Sequence, residues 1–189
     1  MFQSRPFERL WELPGDDVFD VAAGGMSKLK GREAIWTETY AEVRRSALIL
    51  ARNQPFLQDY TDIRRFAAVP GSAADLHARK HLPRSSTITA INSIDEGVAL
   101  LIDGSVEAVG TGSVSAAFQK RRWSMMDGAN VRAEPPADAR TGPRWSMLAS
   151  VDLHRSSDRV EEIAFAVRNN PLLLHKLNQF ILGLKSPQI

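Results

Sequence analysis

Apolar and polar positions alternate with different periods in different stretches of the chain. Over residues 33–53, Trp36, Tyr40, Val43, Ala47, Leu50 and Ala51 recur at three and four residues, the spacing of one helix face. A long helix is therefore expected there, ending ahead of Pro55 because proline cannot continue it. Shorter helices are expected over 59–68, from Ile63, Phe66 and Ala67, and over 73–80, ahead of Pro83. Residues 85–93 change period to strict alternation, with β-branched Thr87, Ile88, Thr89 and Ile91, and predict a strand. Asp95-Glu96-Gly97 reads as a turn, 98–102 as a second strand, Asp103-Gly104 as a hairpin turn and 106–109 as the return strand. Gly110-Thr111-Gly112-Ser113 then leads into a helix over 114–123, and 145–153 reads as a strand.

Nearer the ends, 17–22 reads as a short strand stopped by Gly24-Gly25. Asp158 and Glu161 form a capping-box-like start, followed by Val160, Ile163, Ala164 and Val167 on one helix face. Asn170-Pro171 begins a second helix, with Leu173, Leu174, Leu177, Phe180 and Ile181 apolar and Gly183 as its stop. The expected class is α+β: a small mixed sheet, flanking helices and a C-terminal helical hairpin over 158–183. At 189 residues the chain suits a single domain over 1–189.

Composition narrows the chemistry. There is no cysteine, which excludes disulfides, thiolate metal sites and cysteine nucleophiles. The 24 basic and 22 acidic residues leave a net charge of +2, too little to announce a nucleic-acid binder. The balance varies along the chain: residues 1–40 hold 5 basic and 7 acidic side chains, and residues 41–80 hold 7 and 4. Arginines outnumber lysines 18 to 6, and a guanidinium fork suits phosphate or carboxylate. The start, Met1-Phe2-Gln3-Ser4-Arg5-Pro6, lacks the apolar run of a signal peptide, and no uncharged apolar stretch reaches the ~20 residues of a spanning helix. A cytoplasmic bacterial protein is expected, with peripheral contact to the inner membrane open to it.

Walker-type, HExxH and GxSxG motifs are missing. His77 and His81 are four apart, but Arg79, Lys80 and Arg84 beside them favour a basic patch over a metal site. Gly110, Gly112 and Ser113 lie between a strand and a helix start, where free N–H groups and the helix dipole can hold an anion. Carboxylates fall close by in sequence at Asp95, Glu96, Asp103 and Glu107, and Lys120, Arg121, Arg122 and Trp123 extend a positive, base-stacking surface.

A hairpin followed by strand–Gly–x–Gly–Ser–helix, with Ala116-Ala117 one turn in, resembles the ParB/sulfiredoxin fold over residues 84–122. The implied core covers about 84–155. The whole chain, with its Arg-rich, Cys-free make-up and RPFERLWELPGDDVFDV opening, resembles plasmid fertility-inhibition proteins with oncogenic suppressive activity. The family's arginine in the glycine turn is replaced by Ser113, Val114 and Ser115, and the sulfiredoxin cysteine is absent. The resemblance implies a factor that blocks conjugative or T-DNA transfer through a type IV secretion system, by ATP hydrolysis and DNA cleavage. Gly110, Gly112 and Ser113 would hold ATP, and Arg84, Glu96 and Asp103 would be catalytic, with Mg²⁺ as a companion ion of unassigned ligands. Lys120, Arg121 and Arg122 would bind the transferred DNA strand. The competing expectation is a non-catalytic inhibitor that binds a secretion component or a transferred effector.

Overall fold

A computed structural model describes residues 2–129, 148–153 and 160–185. Its strands and helices, in chain order, are β1 (Val21–Ser27), β2 (Ile35–Trp36), β3 (Ala41–Val43), β4 (Arg45–Leu50), β5 (Arg65–Ala68) and α1 (Ala73–His81). There follow β6 (Thr87–Ala90), α2 (Ile94–Ile102), β7 (Ala108–Gly112), α3 (Ser113–Ala129), β8 (Leu148–Asp152), β9 (Glu161–Val167) and α4 (Pro171–Lys185). The elements group into two compact units. One comprises residues 1–43, 71–73 and 160–189, and the other residues 44–70 and 74–159.

The larger unit is built on a five-stranded sheet in the order β6-β5-β7-β4-β8. β5 is parallel to β6 and β7, and β4 is antiparallel to β7 and β8. All six residues of β4 are buried, and strand periodicity sends them to opposite faces. Ala47 and Ile49 join a cluster with Phe66, Ala74 and Ala78, while Leu48 and Leu50 join one with Val98, Leu101 and Val109. α1 therefore covers one face of the sheet, and α2 and α3 cover the other. Each fully buried Leu, Ile or Phe contributes roughly 1.5–3 kcal/mol by leaving water.

That double burial explains the largest departure from expectation. A helix over 33–53 is replaced by β2, β3, β4 and a 3-10 turn at Ala51–Asn53. A strand coated on both faces has no polar alternation, so Ala47, Leu48, Ile49 and Leu50 carry no period-2 signal. The expected helix over 59–68 is likewise a 3-10 turn, Tyr60–Asp62, followed by β5.

The opposite exchange occurs at 94–102, expected as turn and strand and found as α2. Ser93 caps this helix, its hydroxyl accepting from the Glu96 N–H at 3.1 Å. Gly97 lets it approach β7 closely: an added Cβ would lie 2.7 Å from Val109 Cγ1. Asp103-Gly104 thus closes a helix and joins no hairpin. α1, β6, α3 and β8 fall close to their expected positions; residues 145–147 of the last expected strand lie outside the described residues.

The smaller unit has β9 at its centre, antiparallel to β1 on one side and to β2 and β3 on the other. β9 was expected as the first arm of a helical hairpin. Its buried residues fall as adjacent pairs, Ile163-Ala164 and Ala166-Val167, because both faces are covered, and paired apolar positions imitate helix spacing. Only the second arm exists: α4 begins at Pro171, with the Asn170 side chain accepting from the Leu173 N–H at 3.1 Å, and runs past Gly183. Two sheets therefore replace the expected single small sheet with its helical hairpin. Among the described residues, no helix is long and apolar enough to cross a membrane.

Gly110 sits under the ring of Phe66, where an added Cβ would lie 2.4 Å from Cζ. Gly110→Ala is expected to destabilise the chain by about 1–3 kcal/mol through overpacking. Gly183 in α4 faces open space, so Gly183→Ala should be neutral or stabilising by up to ~1 kcal/mol. Urea unfolding of the two variants checks the contrast; equal effects would contradict the packing described.

Candidate functional site

The smaller unit buries a cation. β1 ends at Ser27, whose hydroxyl donates to Glu161 Oε2 at 2.7 Å and so ties the strand end to β9. The loop that follows turns on the Arg32 N–H, which donates to the Leu29 carbonyl at 3.0 Å. This brings the Arg32 side chain inward to 7% exposure. Its Nη1 donates to the Ser27 carbonyl at 3.0 Å and its Nη2 to the Gly71 carbonyl at 2.5 Å.

Aromatic faces complete the seat. The guanidinium carbon lies 4.3 Å from the Trp11 ring centre and 5.8 Å from that of Phe7. Both rings belong to a tight turn in which the Leu10 N–H donates to the Phe7 carbonyl at 3.1 Å. Phe7, Leu10 and Trp11 pack on the cluster of Ala22, Met26 and Ala166, which fixes the turn against β1. Burying a charge is costly unless hydrogen bonds and favourable contacts replace water, and here carbonyls and ring faces do so. Each terminal nitrogen of the guanidinium is thus engaged by one carbonyl and carries a second N–H, a donor of the kind that pairs with a carboxylate.

The site residues expected from sequence are scattered by comparison. Arg84 is exposed in the turn between α1 and β6. Glu96 and Asp103 stand near opposite ends of α2, seven residues and so ~10 Å apart along its axis. Glu96 Oε2 accepts from the backbone and side-chain nitrogens of Asn92 at 2.8 and 3.2 Å. Asp103 accepts from the Ser105 N–H at 2.7 Å, and hydrogen bonds from Ser105 hold its carboxyl below the usual range.

The glycine turn is occupied by its own chain. Gly110 is covered by Phe66, Gly112 closes β7, and the Ser113 N–H donates to the Arg44 carbonyl at 2.8 Å. Ser113 Oγ in turn accepts from the Arg44 N–H at 3.0 Å. Lys120 reaches Ser150 Oγ at 3.5 Å, and Arg121 is exposed on α3. Arg122 pairs with Asp95, its Nη1 lying 2.9 and 2.7 Å from the two carboxylate oxygens. No group of three or more His, Asp or Glu is placed to hold a metal among the described residues. His81 stacks on Tyr60 and meets His77 at a tilt, with ring centres 5.7 Å apart at each step.

Nothing in the sequence pattern singles out Arg32. It is the one arginine between Arg9 and Arg44, but it lies in a loop, off every apolar stripe. Its burial follows from β1 and Gly71, which are distant in sequence from the aromatic turn or from the arginine itself.

No family model matches the chain, and no curated protein sequence matches it. Solved structures do. The ancestral amino acid-binding protein AncCDT-1, a precursor of cyclohexadienyl dehydratase, superposes with a TM-score of 0.75 at 18% identity, over 98% of this chain and 71% of its own. The amino acid ABC transporter substrate-binding protein AbpA from Streptococcus pneumoniae, bound to L-arginine, gives 0.74 at 17% over 98% and 70%. The GluR0 ligand-binding core with L-glutamate gives 0.67 at 20% over 91% and 69%.

At these identities the likeness is one of fold. The chain shares the fold of these amino acid-binding proteins, and the ParB/sulfiredoxin expectation is corrected accordingly. The resemblance to plasmid fertility-inhibition proteins falls with it, as do the ATPase and DNase activities, the transferred DNA strand and the secretion-system partner. The similar structures are described as binding proteins or a ligand-binding core, not as nucleases or ATPases.

Arg122 serves a measurable local role. Its hydrogen bonds, followed by that of Gln119, hold the Asp95 carboxyl below its ordinary value. A depressed carboxylate stabilises the fold above the ordinary Asp pKa of about 3.9 and loses that contribution as pH falls through the depressed value. Both side chains are about half exposed, so the gain is under ~1 kcal/mol. Carboxyl NMR titration of Asp95 should show a low midpoint that rises toward the ordinary value in Arg122→Ala. An unchanged midpoint would contradict the pairing.

Proposed function

We propose that this chain binds a small organic molecule through a carboxylate, which docks on the Arg32 guanidinium. The observation that carries the reading is the buried, aromatic-walled seat itself: a cation 7% exposed, held by the Ser27 and Gly71 carbonyls beside Trp11 and Phe7. Charge in so dry a surrounding binds an opposite charge far more strongly than it would in water. The planar ring faces beside it offer apolar contact to the body of a small ligand.

Amino acids are the first ligands to test. The similar structures include an ancestral arginine-binding protein bound to arginine, another bound to glutamine, and the GluR0 core with L-glutamate. Each of these ligands carries the carboxylate that the seat would engage. The reading asks for no turnover: the side chains gathered round Arg32 are apolar or hydrogen-bonded in place, and the chain would act by holding a ligand.

Isothermal calorimetry with L-arginine, L-glutamine and L-glutamate tests the reading. Saturable binding of at least one is expected, and Arg32→Ala should weaken it by about 100-fold, the worth of a lost charge-assisted pair. Arg64→Ala, an exposed change outside the seat, should bind as the parent does. Absence of binding to all three, or parent-like binding by Arg32→Ala, would contradict the proposal.

A further inference from the structure

α4 carries more apolar surface than its packing uses. Its inward side is supplied by Ile181, which is buried, and by Leu173, Leu174 and Leu177, which are partly so. A second row runs outward: Leu172, Lys176, Phe180 and Leu184 follow one another at i+4, the spacing that stacks side chains along one side of a helix. Leu172, Phe180 and Leu184 are 64, 63 and 68% exposed. A contiguous row of large apolar side chains in water is the mark of a docking surface.

The charge on this helix has one sign. No Asp or Glu lies within Pro171–Lys185, and Lys176 and Lys185 are both exposed. Neither lysine enters an ion pair among the described residues. Glu38 meets the helix at Asn178, its N–H donating to Asn178 Oδ1 at 2.8 Å. Asn178 is two residues from both Lys176 and Phe180, and positions two apart on a helix do not share a side.

Lys176 decides what can cover the row, because it stands inside it, one turn from Leu172 and one from Phe180. The core of a protein–protein interface strips water from such an ammonium, and lysine is depleted there. At a bilayer the lysine stem lies along the apolar row while the ammonium reaches back to the phosphate layer. We propose that α4 docks the protein on an anionic lipid surface, with Leu172, Phe180 and Leu184 in the acyl boundary and Lys176 and Lys185 against the phosphates. The helix lies along the surface and does not cross it. Apolar burial and attraction to anionic headgroups together set the strength of such binding.

Flotation of the full chain with lipid vesicles tests the inference. Vesicles of phosphatidylglycerol mixed with phosphatidylcholine should carry the protein, and phosphatidylcholine alone should bind it about 30-fold more weakly, as the loss of two lysine–headgroup attractions requires. Lys176→Gln should weaken binding to the mixed vesicles about fivefold. The double variant Leu172→Gln, Phe180→Gln should weaken it at least about tenfold. Arg64→Gln, an exposed change in the other unit, should bind as the parent does. All these positions are exposed, and unaltered melting temperatures verify that folding is intact.

Failure to float with the mixed vesicles, equal binding to phosphatidylcholine alone, or parent-like binding by the double variant would overturn the inference. A dimer in sedimentation velocity that the double variant abolishes, with no vesicle binding by the parent, would overturn it in favour of a second copy of this chain.

Discussion

A guanidinium removed from water must be given back its hydrogen bonds, and in the smaller unit much of the local architecture serves that need. Arg32 draws together four stretches of chain: the aromatic turn at 7–11, the end of β1 at Ser27, its own loop, and Gly71. None of these is rigid alone. The turn is fixed by packing Leu10 and Trp11 on β1 and β9, and the strand end by the Ser27–Glu161 hydrogen bond. With those fixed, carbonyls and ring faces converge on one point, and a cation can stand there. Without the cation, two inward-turned carbonyls would lose a donor, at a cost of about 1–3 kcal/mol each.

The larger unit shows a different economy. Its sheet is coated on both faces, with successive residues of β4 and β5 assigned to opposite clusters. Small residues set the spacing of the layers: Gly97 admits Val109, and Gly110 admits Phe66. The Gly110–Ser113 stretch, which has the look of an anion cradle in sequence, is drawn into this packing. Its serine is spent on Arg44. A glycine before a helix is ambiguous for that reason, since close packing and close approach of a phosphate demand the same absent side chain.

What could be read from sequence, and what could not, follows the same physics. α1 and α4 were legible from Pro and Asn signals at their ends, and β6 from exposure of alternate residues along an edge strand. β4 and β9 were not, because a strand buried on both sides gives up the alternation by which strands are recognised. α2 was lost to Asp103-Gly104, a dipeptide that ends helices as readily as it turns hairpins. The seat was not legible: Arg32 is 21 residues beyond Trp11, and only the fold brings the Phe7 and Trp11 rings to its guanidinium.

The central claim is that the Arg32 guanidinium meets a ligand carboxylate. Side-chain ¹⁵N NMR of the arginine Nε–H groups, followed through a titration with L-arginine carrying no ¹⁵N label, observes that event at the atoms concerned. The Arg32 resonance should shift saturably, in step with calorimetric binding, while those of exposed arginines such as Arg64 and Arg84 stay in place. Binding that leaves the Arg32 resonance unmoved, or an Arg32 resonance that no tested carboxylate perturbs, would contradict the account.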